Sequence, residues 1–349
     1  MARRVRRIAP PVAGFRDIAI LRLSSLGDIV LTLPAVHALH RAFPEARIHY
    51  WVKEEFFDLL RFDPAIAHVR VLERDARRAE DLVSMSAELE DMDLIVDLHD
   101  SLRTRVLTFR QRTPVLRTPS YRLRRWAQVR ARALRPPPPP AVLERHAVAL
   151  APLGIAPLGA PHVVAGEAAE TWAAEWLALW TPDAAPIAMI PGAAHPTKRW
   201  PEAHWIALHE RLRAAGRRLL YLGLESDRAR VPALAARVAL DPGCRWAIER
   251  LPRVAALLSR CATAIAGDTG LMHVAAARGL GVVAMFGSTA PELGFAPAGE
   301  GHAVLCRHER CQPCTVHGRA SCPRGHFRCM IGIEPGEVAD HALRLAAGA

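Results

Sequence analysis

The chain has 349 residues, 51% of them hydrophobic, and a formal net charge of +11. This length is enough for two ordinary hydrophobic cores, so two domains are expected. No apolar run is long enough to span a bilayer, and a basic start without an apolar stretch before Pro10 predicts an untargeted cytosolic protein. The basic excess predicts a polyanionic partner (phosphates, nucleic acid or an anionic membrane), although codon usage alone could explain Arg in place of Lys.

Short apolar runs alternate with amphipathic segments in the first half of the chain. The runs predict strands at "IAILRL", "ARIHYWV" and "DLIVDLHD", and the segments between them predict helices at "IVLTLPAVHALHRAF" and "SLRTRVLTF". Strands that are continuously hydrophobic and separated by helices are typical of a parallel sheet covered on both faces. This half is therefore predicted to be a doubly wound α/β domain.

Pro136–Pro140 form a run of five prolines, which predicts a stiff spacer rather than a helix or a central strand. A second alternating series follows, with strands expected at "PIAMIPGA", "RRLLYLGL", "ATAIAGDTG" and "GVVAMFGST". The predicted fold class is thus α/β, with two Rossmann-like parallel-sheet domains at 1–160 and 161–349 and a hinge around 136–162. Ligands of such sheets bind at the carboxyl ends of the strands.

The stretch "RLSSLGDIVLTLP" joins the first strand to the first helix. Asp28 is predicted to lie at or just before the helix N-terminus, where a carboxylate either caps the helix or acts in chemistry. A cap should turn back onto the N–H groups of its own helix, whereas a catalytic base should point away from them. The stretch lacks the G-x-G-x-x-G pattern, which disfavours a nicotinamide dehydrogenase.

Four further motifs follow strands in the second half. They are "GAAHPTKRWP" with Lys198, "GLESDR" with Glu225, "AGDTGLMHVAAARG" with Asp268 and His273, and "FGSTAPELGFAPAG". Lys and Arg in a strand-to-helix loop suit a phosphate, an acid at a strand end suits ribose hydroxyls, and a Gly-rich helix start offers N–H groups to an anion. Ordinary surface loops and helix caps remain the alternative for each motif taken singly.

Together these stretches resemble glycosyltransferase family 9, the heptosyltransferases of the lipopolysaccharide inner core. The matching pieces run in order along nearly the whole chain, from "RLSSLGDIVLTLPAVHAL" through "LIVDLHDSLRT", "PGAAHPTKRWP", "YLGLESDR", "AGDTGLMHVAAA" and "FGSTAPE" to "CQPC…SCPRGHFRCMIGIEPGEV". The resemblance implies the GT-B fold, with two Rossmann-like domains facing each other across a cleft. It also implies transfer with inversion at the anomeric carbon and without a metal or other cofactor.

The resemblance implies a role for each matching position. Asp28 corresponds to the general base, Lys198 to the residue that stabilises the donor diphosphate, and Glu225 to the ribose contact. Such a transfer needs a base on the acceptor hydroxyl and positive charge on the leaving group. The implied donor-binding set is Gly27, Thr197, Lys198, Glu225, Asp268, Thr269, Gly270, Leu271, His273, Ser288 and Thr289.

From Arg103 to Arg135 the chain has many arginines and no acidic residue. An exposed helix face normally mixes charges, so this segment predicts contact with an acidic glycolipid acceptor and an anionic membrane surface. The predicted acceptor-binding residues are Ser24, Ser25, Arg103, Arg105, Arg122, Arg124 and Arg125. The last helix, about 335–347, is expected to pack back on the N-terminal domain.

The cysteines crowd near the C-terminus, which is not the pattern of a disulfide-stapled secreted protein. Four thiols with C-x2-C-x7-C-x6-C spacing could bind zinc, and reduced or redox-sensitive thiols are the alternative. The four are Cys311, Cys314, Cys322 and Cys329.

The predicted function is heptose transfer from ADP-heptose to the lipopolysaccharide inner core, by a monomer peripheral to the cytoplasmic face of the inner membrane. The acceptor is either Kdo-lipid A or its heptosylated form. A different nucleotide sugar on the same scaffold is one alternative. A basic, non-catalytic nucleic-acid-binding protein is another, but it leaves the acids at the strand ends unexplained.

Overall fold

A computed structural model describes residues 14–348 except 73–84, 132–133, 135, 156–157 and 182–183. The chain divides into two compact units, the first formed by residues up to Ser120 with Pro140–Val164, the second by Tyr121–Pro139 with Ala165–Ala349. The boundary predicted at 160/161 lies close to the observed one at 164/165. Residues 121–139 belong to the second unit, whereas the prediction placed them in the first.

The elements of the first 150 residues alternate between strands and helices. They are β1 Asp17–Leu21, α1 Leu26–Val30, α2 Leu33–Ala42, β2 Arg47–Lys53, α3 Phe57–Leu60, β3 His68–Leu72, β4 Leu94–Asp97, α4 Leu102–Leu107, β5 Val115–Arg117, α5 Arg122–Arg130 and α6 Val142–Leu150. All of them lie in the first unit except α5.

The first unit has a five-stranded parallel sheet in the order β3-β2-β1-β4-β5. This is the Rossmann order, in which the direction of strand addition reverses between β1 and β4, and such sheets bind ligands at that point. The four residues of β4 are fully buried, and those of β1 are buried after Asp17. The loops after β1 and β4 therefore hold the first unit's candidate site.

The segment "IVLTLPAVHALHRAF" was predicted as one helix, but the structure breaks it into α1 and α2. Pro34 is the cause, because it has no N–H to donate and its ring clashes with the carbonyl four residues before it. The connecting Thr32 is buried, and its hydroxyl group lies 2.6 Å from the Tyr50 hydroxyl oxygen in β2. The break thus places a side chain that helps to fix α2 on the sheet.

The elements of the second unit follow the same alternation. They are α7 Glu167–Ala178, β6 Ile187–Ile190, α8 Glu202–Ala214, β7 Leu219–Leu222, α9 Glu225–Arg228, α10 Pro232–Leu240, β8 Cys244–Ala247, α11 Leu251–Leu258, β9 Thr263–Gly267, α12 Gly270–Ala277, β10 Val282–Phe286, β11 Ala303–Cys306, α13 Arg328–Ile331 and α14 Pro335–Ala347.

The second unit has a six-stranded parallel sheet in the order β11-β10-β9-β6-β7-β8. Counted from β6, this is again the Rossmann order, with its reversal between β6 and β9. The strands β6, β7, β9 and β10 are fully buried, as the continuous apolar runs predict. The loops after β6, β9 and β10 surround the second candidate site.

The last helix packs within the second unit, against α8, β9 and β10. Val338, Ala339 and Ala342 form its buried stripe and join the core beneath that sheet. The expectation that this helix also packs on the N-terminal domain stays a prediction. Among the described residues, no helix has the length and apolar character needed to cross a membrane.

Candidate active site

Asp28 lies in the first turn of α1, three residues after the N-cap Ser25, rather than at the cap position predicted from the sequence. The Ser25 hydroxyl group donates to Asp28 Oδ2 (2.7 Å), and the Ser25 backbone N–H points at the same oxygen (3.3 Å). Both bonds run from Ser25 to Asp28, and the contact to the Ser25 N–H is the half of a capping box that the third helical residue supplies. The sequence analysis expected a capping carboxylate to turn back onto its own helix, and Asp28 does so. Even so, 21% of its side chain remains exposed.

Arg22 holds the other oxygen of this carboxylate. Its Nη2 lies 2.8 Å from Asp28 Oδ1. The same guanidinium donates from Nη1 to the Leu98 carbonyl and from Nε to the Ser24 carbonyl, both at 2.8 Å. Because Leu98 follows β4, Arg22 connects the loop after β1 to the loop after β4. It fixes the position of Asp28 and keeps a positive charge beside it.

Two neutral histidines stand near this ion pair. His99 Nδ1 accepts from the Leu23 N–H (3.3 Å), which leaves the ring proton on Nε2. Burial, reinforced by the charge of Arg22, lowers the pKa of His99 to about 4, and burial lowers that of His146 to about 3. At neutral pH His99 therefore offers a hydrogen-bond donor and not a base.

The predicted acceptor arginines are divided between the two units. Arg103 and Arg105 lie in α4 of the first unit, and Arg105 Nη2 pairs with Asp100 at 2.6 Å. Arg122, Arg124 and Arg125 lie in α5, which belongs to the second unit. The structure thus does not gather these arginines into one face of the N-terminal domain, because the chain leaves that domain at Ser120.

In the second unit, the half-buried Lys198 and the buried Asp268 form an ion pair between the loops after β6 and β9. Lys198 Nζ lies 2.7 Å from Asp268 Oδ2, and the Thr289 hydroxyl group donates to the same oxygen at 2.7 Å. Three strand ends therefore meet at one carboxylate. The pairing agrees with the sequence prediction that the Lys198 and Asp268 motifs share a site. It places the lysine charge between the carboxyl ends of β6 and β9.

Thr197 and Ser288 face inward and connect the same loops. The Ser288 hydroxyl group donates to Thr197 Oγ1 (2.8 Å), which also accepts from the Arg319 N–H (2.8 Å). Both side chains are buried, so their hydroxyl groups hold the two loops together by hydrogen bonds. A Cβ at Gly267 would lie 2.9 Å from the Lys198 carbonyl oxygen, which explains why glycine stands where the loop meets the strand.

The remaining predicted donor residues lie around this cluster. Thr269 caps α12 by accepting from the Met272 N–H (3.4 Å), so Gly270 and Leu271 occupy the first turn, whose N–H groups have no intrahelical partner. His273 is buried in the next position along the helix. Glu225 begins α9, is 61% exposed and pairs with Arg228 at 2.7 Å.

The sequence analysis missed Arg22, His99 and Arg319 as parts of these sites. Arg22 is the first residue after β1 and His99 the second after β4, so the strand-end rule applied to every polar residue would have found them. Arg319 contacts Thr197 although more than a hundred residues separate them in the sequence, and no local sequence pattern predicts such a contact.

One trio of side chains in the described part of the chain has metal-ligand atoms within 4.8 Å of one another: His209, Asp241 and Cys244. Arg213 donates to both Asp241 oxygens, at 2.6 and 3.0 Å, so a guanidinium already neutralises this carboxylate. Burial raises the pKa of the Cys244 thiol to about 12, which keeps it neutral. The trio is a structural network and does not resemble a metal centre.

The two Rossmann-type units have the fold of GT-B glycosyltransferases. The family model for glycosyltransferase family 9 (heptosyltransferase) matches residues 84–322. Lipopolysaccharide heptosyltransferase 1 of Pseudomonas aeruginosa is 30% identical over 317 residues, which cover 85% of each chain. The chain belongs to glycosyltransferase family 9.

Solved structures agree on the fold. A family 9 glycosyltransferase from Veillonella parvula superposes with a TM-score of 0.78 at 21% identity, over 96% of this chain and 98% of that one. The Escherichia coli ADP-heptose lipopolysaccharide heptosyltransferase II superposes with a TM-score of 0.71 at 20% identity, over 95% and 99%. The predicted GT-B fold and family are both confirmed.

Proposed function

We propose that this protein transfers heptose from ADP-heptose to the inner core of lipopolysaccharide. The observation that carries the proposal is the family match over residues 84–322, within which Lys198, Asp268 and Thr289 meet at three strand ends. The similarity to a lipopolysaccharide heptosyltransferase of Pseudomonas aeruginosa along 85% of both chains supports the same donor and acceptor classes.

In this proposal Asp28 is the general base. It takes the proton from the acceptor hydroxyl group as that oxygen attacks the anomeric carbon from the face opposite the diphosphate. Arg22 holds one oxygen of the carboxylate through an ion pair, and the Ser25 hydroxyl group donates to the other oxygen. Their role is to position the base, and its partial exposure leaves it accessible to a substrate.

The second unit is assigned the donor. As the bond to the anomeric carbon breaks, negative charge develops on the diphosphate, and Lys198 with the first-turn N–H groups of α12 would stabilise it. The proposed transfer therefore uses these groups, and no metal, at the reacting bond. Glu225 is assigned to the ribose, for which its pairing with Arg228 would have to open.

Peripheral membrane binding is also proposed, through a face of the first unit. The exposed side chains of Leu102 (77%), Val106 and Phe109 (83%) follow one another at helical spacing along and just beyond α4. Arg110 and Arg112 are exposed beside them. Apolar side chains flanked by arginines suit the interface of an anionic bilayer, where each basic residue adds about 1 kcal/mol.

The function is tested by incubating the purified enzyme with ADP-heptose and either Kdo-lipid A or its heptosylated form, and weighing the product by mass spectrometry. Addition of one heptose to either acceptor is expected. Transfer from UDP- or GDP-sugars but not from ADP-heptose would overturn the donor assignment. Tight, salt-sensitive binding to nucleic acid without any transfer would favour the non-catalytic alternative.

The membrane face is tested by sedimentation with vesicles that contain phosphatidylglycerol. The substitution Phe109→Asp is expected to reduce the bound fraction severalfold and to leave transfer to a detergent-solubilised acceptor unchanged. The matched control is Leu179→Asp, at an exposed leucine of the second unit. Equal binding by the wild type and the Phe109 variant would contradict the assignment.

A further inference from the structure

Four cysteine side chains surround one small cavity in the second unit. Cys311, Cys314 and Cys322 lie in the loop after β11, and Cys329 lies in the short helix α13. All four line the cavity, together with His326, whose Nε2 is 3.7 Å from the Cys311 sulfur. All four are free thiols and none is bridged in a disulfide.

The cavity has a volume of about 10 Å³. That is room for about one water-sized sphere, so the space between the thiols suits a single ion and is too small for an organic ligand. No three of these sulfurs lie within 4.8 Å of one another, whereas sulfurs around a tetrahedral ion with bonds of about 2.3 Å lie roughly 3.8 Å apart. Three of the thiols lie on a loop, which can make this adjustment.

Positive charge surrounds the sulfur atoms. Arg130, Arg319 and Arg324 line the adjoining cavity, which Cys311 and Cys314 also share. Cationic side chains around a thiol favour the thiolate, which is the form that binds metals.

We propose that Cys311, Cys314, Cys322 and Cys329 bind one structural metal ion, Zn²⁺ or Fe²⁺, in tetrahedral thiolate coordination. The shared chemistry is that of a thiophilic divalent cation with four sulfur ligands and no open position for catalysis. Each thiol that is protonated before binding releases one proton as its sulfur–metal bond forms, so four neutral thiols would release four protons. No oxidation or reduction is involved.

The same loop contacts the proposed donor site, which gives the ion a structural consequence. The Cys314 N–H donates to the Ser288 carbonyl (2.9 Å), and the Arg319 N–H donates to Thr197 Oγ1 (2.8 Å). A metal that closes the cysteine loop would therefore hold the loops that carry Lys198 and Thr289. This consequence, unlike the metal site itself, rests on the proposed function.

The first test measures the metal content of the full-length protein, purified under reducing conditions without chelator, by inductively coupled plasma mass spectrometry. About one zinc or iron per chain is expected for the wild type, and much less for Cys311→Ser and Cys329→Ser. The matched control is Cys306→Ser, because Cys306 lies at the end of β11 and does not line the cavity. Zinc and iron are distinguished by the same measurement.

A second measurement uses only the wild type, in case the serine variants fail to fold. Four fewer thiols should react with a thiol reagent in the metal-bound protein than after treatment with a strong chelator. Chelator-treated protein should also take up Co²⁺ with the absorption of tetrahedral cobalt thiolate. No bound transition metal together with no cobalt uptake would overturn the proposal, as would equal metal content in the Cys306 and Cys311 variants.

The link to the donor site has its own readout, the affinity for ADP. Removing the metal is expected to weaken ADP binding about tenfold or more, because the loops lose their alignment. If the metal is present and ADP binds equally well without it, the metal site stands and its support of the donor loops is refuted. If the metal-bound protein does not bind ADP at all, the proposed function fails while the metal site remains.

Discussion

Asp28 in the first unit and Asp268 in the second are both carboxylates that follow a central strand, but their partners come from different distances along the chain. Asp28 contacts Arg22 and Ser25, which are six and three residues before it. Asp268 contacts Lys198, 70 residues before it, and Thr289, 21 residues after it. The first site is local, and the second is assembled by the sheet.

The two carboxylates also differ in burial, and this suggests different roles. About one fifth of the Asp28 side chain is exposed, whereas the Asp268 side chain is only 8% exposed and shares its charge with Lys198. An accessible carboxylate can exchange a proton with a substrate. A buried, paired one instead fixes the position of its lysine, and its energy depends on keeping that partner.

The largest effect is expected for Asp28→Ala. Loss of a general base should lower kcat by about 10²- to 10⁴-fold, while ADP binding in the second unit stays within a factor of two. The rate is followed as ADP release from ADP-heptose in the presence of acceptor, and binding by calorimetry. A rate within tenfold of the wild type would show that Asp28 only caps α1.

Ser25→Ala is the matched control, because it removes the hydroxyl contact to Asp28 and keeps the carboxylate. Loss of a capping side chain costs about 1 kcal/mol of stability. We expect a slightly lower melting temperature and a rate within about fivefold of the wild type. If Ser25→Ala is as inactive as Asp28→Ala, the hydroxyl group itself takes part in catalysis.

The next largest effect is expected for Lys198→Ala, which alters the Lys198–Asp268 site of the second unit and leaves the Asp28 site intact. Removing the charge that stabilises the leaving diphosphate should lower kcat/KM by about 10²- to 10³-fold. It also leaves Asp268 buried without its cation, which should cost roughly 3 kcal/mol of stability. Chemical denaturation and steady-state kinetics measure the two effects separately.

Lys53→Ala is the control for that variant, since Lys53 is the other lysine of the chain and lies in the first unit at the end of β2. Its kcat/KM should change by less than about twofold, as expected for a partly exposed side chain outside the site. A Lys198 variant that is less stable but retains the wild-type kcat/KM would show that the lysine serves only as the counter-ion of Asp268.

A smaller effect is expected for Gly287→Ala, which tests the loop contacts of the assembled site. A Cβ at this position would lie 2.9 Å from the Thr197 carbonyl oxygen and 2.7 Å from Met330 Cγ. The resulting shift should cost about 1–3 kcal/mol of stability and weaken ADP binding. Gly159→Ala is the control, because its Cβ would meet no atom within 4 Å. Equal ADP affinity for both variants would mean that the loop tolerates the shift.

The strand-end rule found Asp28, Lys198 and Asp268 from the sequence because a parallel sheet brings its carboxyl ends together whatever its side chains are. The apolar runs also predicted seven of the eleven described strands, and they missed β3, β5, β8 and β11, which are shorter or less uniformly buried. The sequence prediction failed at Pro34, where a single residue divides a helix whose apolar spacing continues on both sides. It also failed at 121–139, because the chain's route between domains depends on packing and not on local pattern.

The direction of the Asp28 side chain was likewise beyond the sequence. Spacing alone allowed a capping carboxylate or an outward-facing base, and the choice depends on where Arg22 and the Ser25 hydroxyl group lie in three dimensions. The hydrogen bonds from Ser288 and Arg319 to Thr197 depend on how a long loop folds. Contacts of this kind become visible only when the sheet and its loops are assembled.

The smallest effect concerns the histidines beside the local site. Burial lowers the pKa of His146 to about 3 from an ordinary value of 6.5, with Arg22, Asp28 and Arg145 as its charged neighbours. Between those pH values the unfolded chain binds a proton at His146 and the folded chain does not. Stability should therefore fall as the pH drops below about 6.5, by roughly 1.4 kcal/mol per pH unit for this residue.

His146→Gln removes this titration and can keep a hydrogen bond to Thr118, whose hydroxyl oxygen lies 3.2 Å from His146 Nδ1. The variant should lose less stability than the wild type between pH 6.5 and 5. Its stability should still fall somewhat over this range, because the pKa of His99 is lowered as well. Urea unfolding at several pH values measures the difference. Parallel curves for the two proteins would mean that His146 is not held neutral, and that the surroundings of Arg22 and Asp28 are more hydrated than the packing around them indicates.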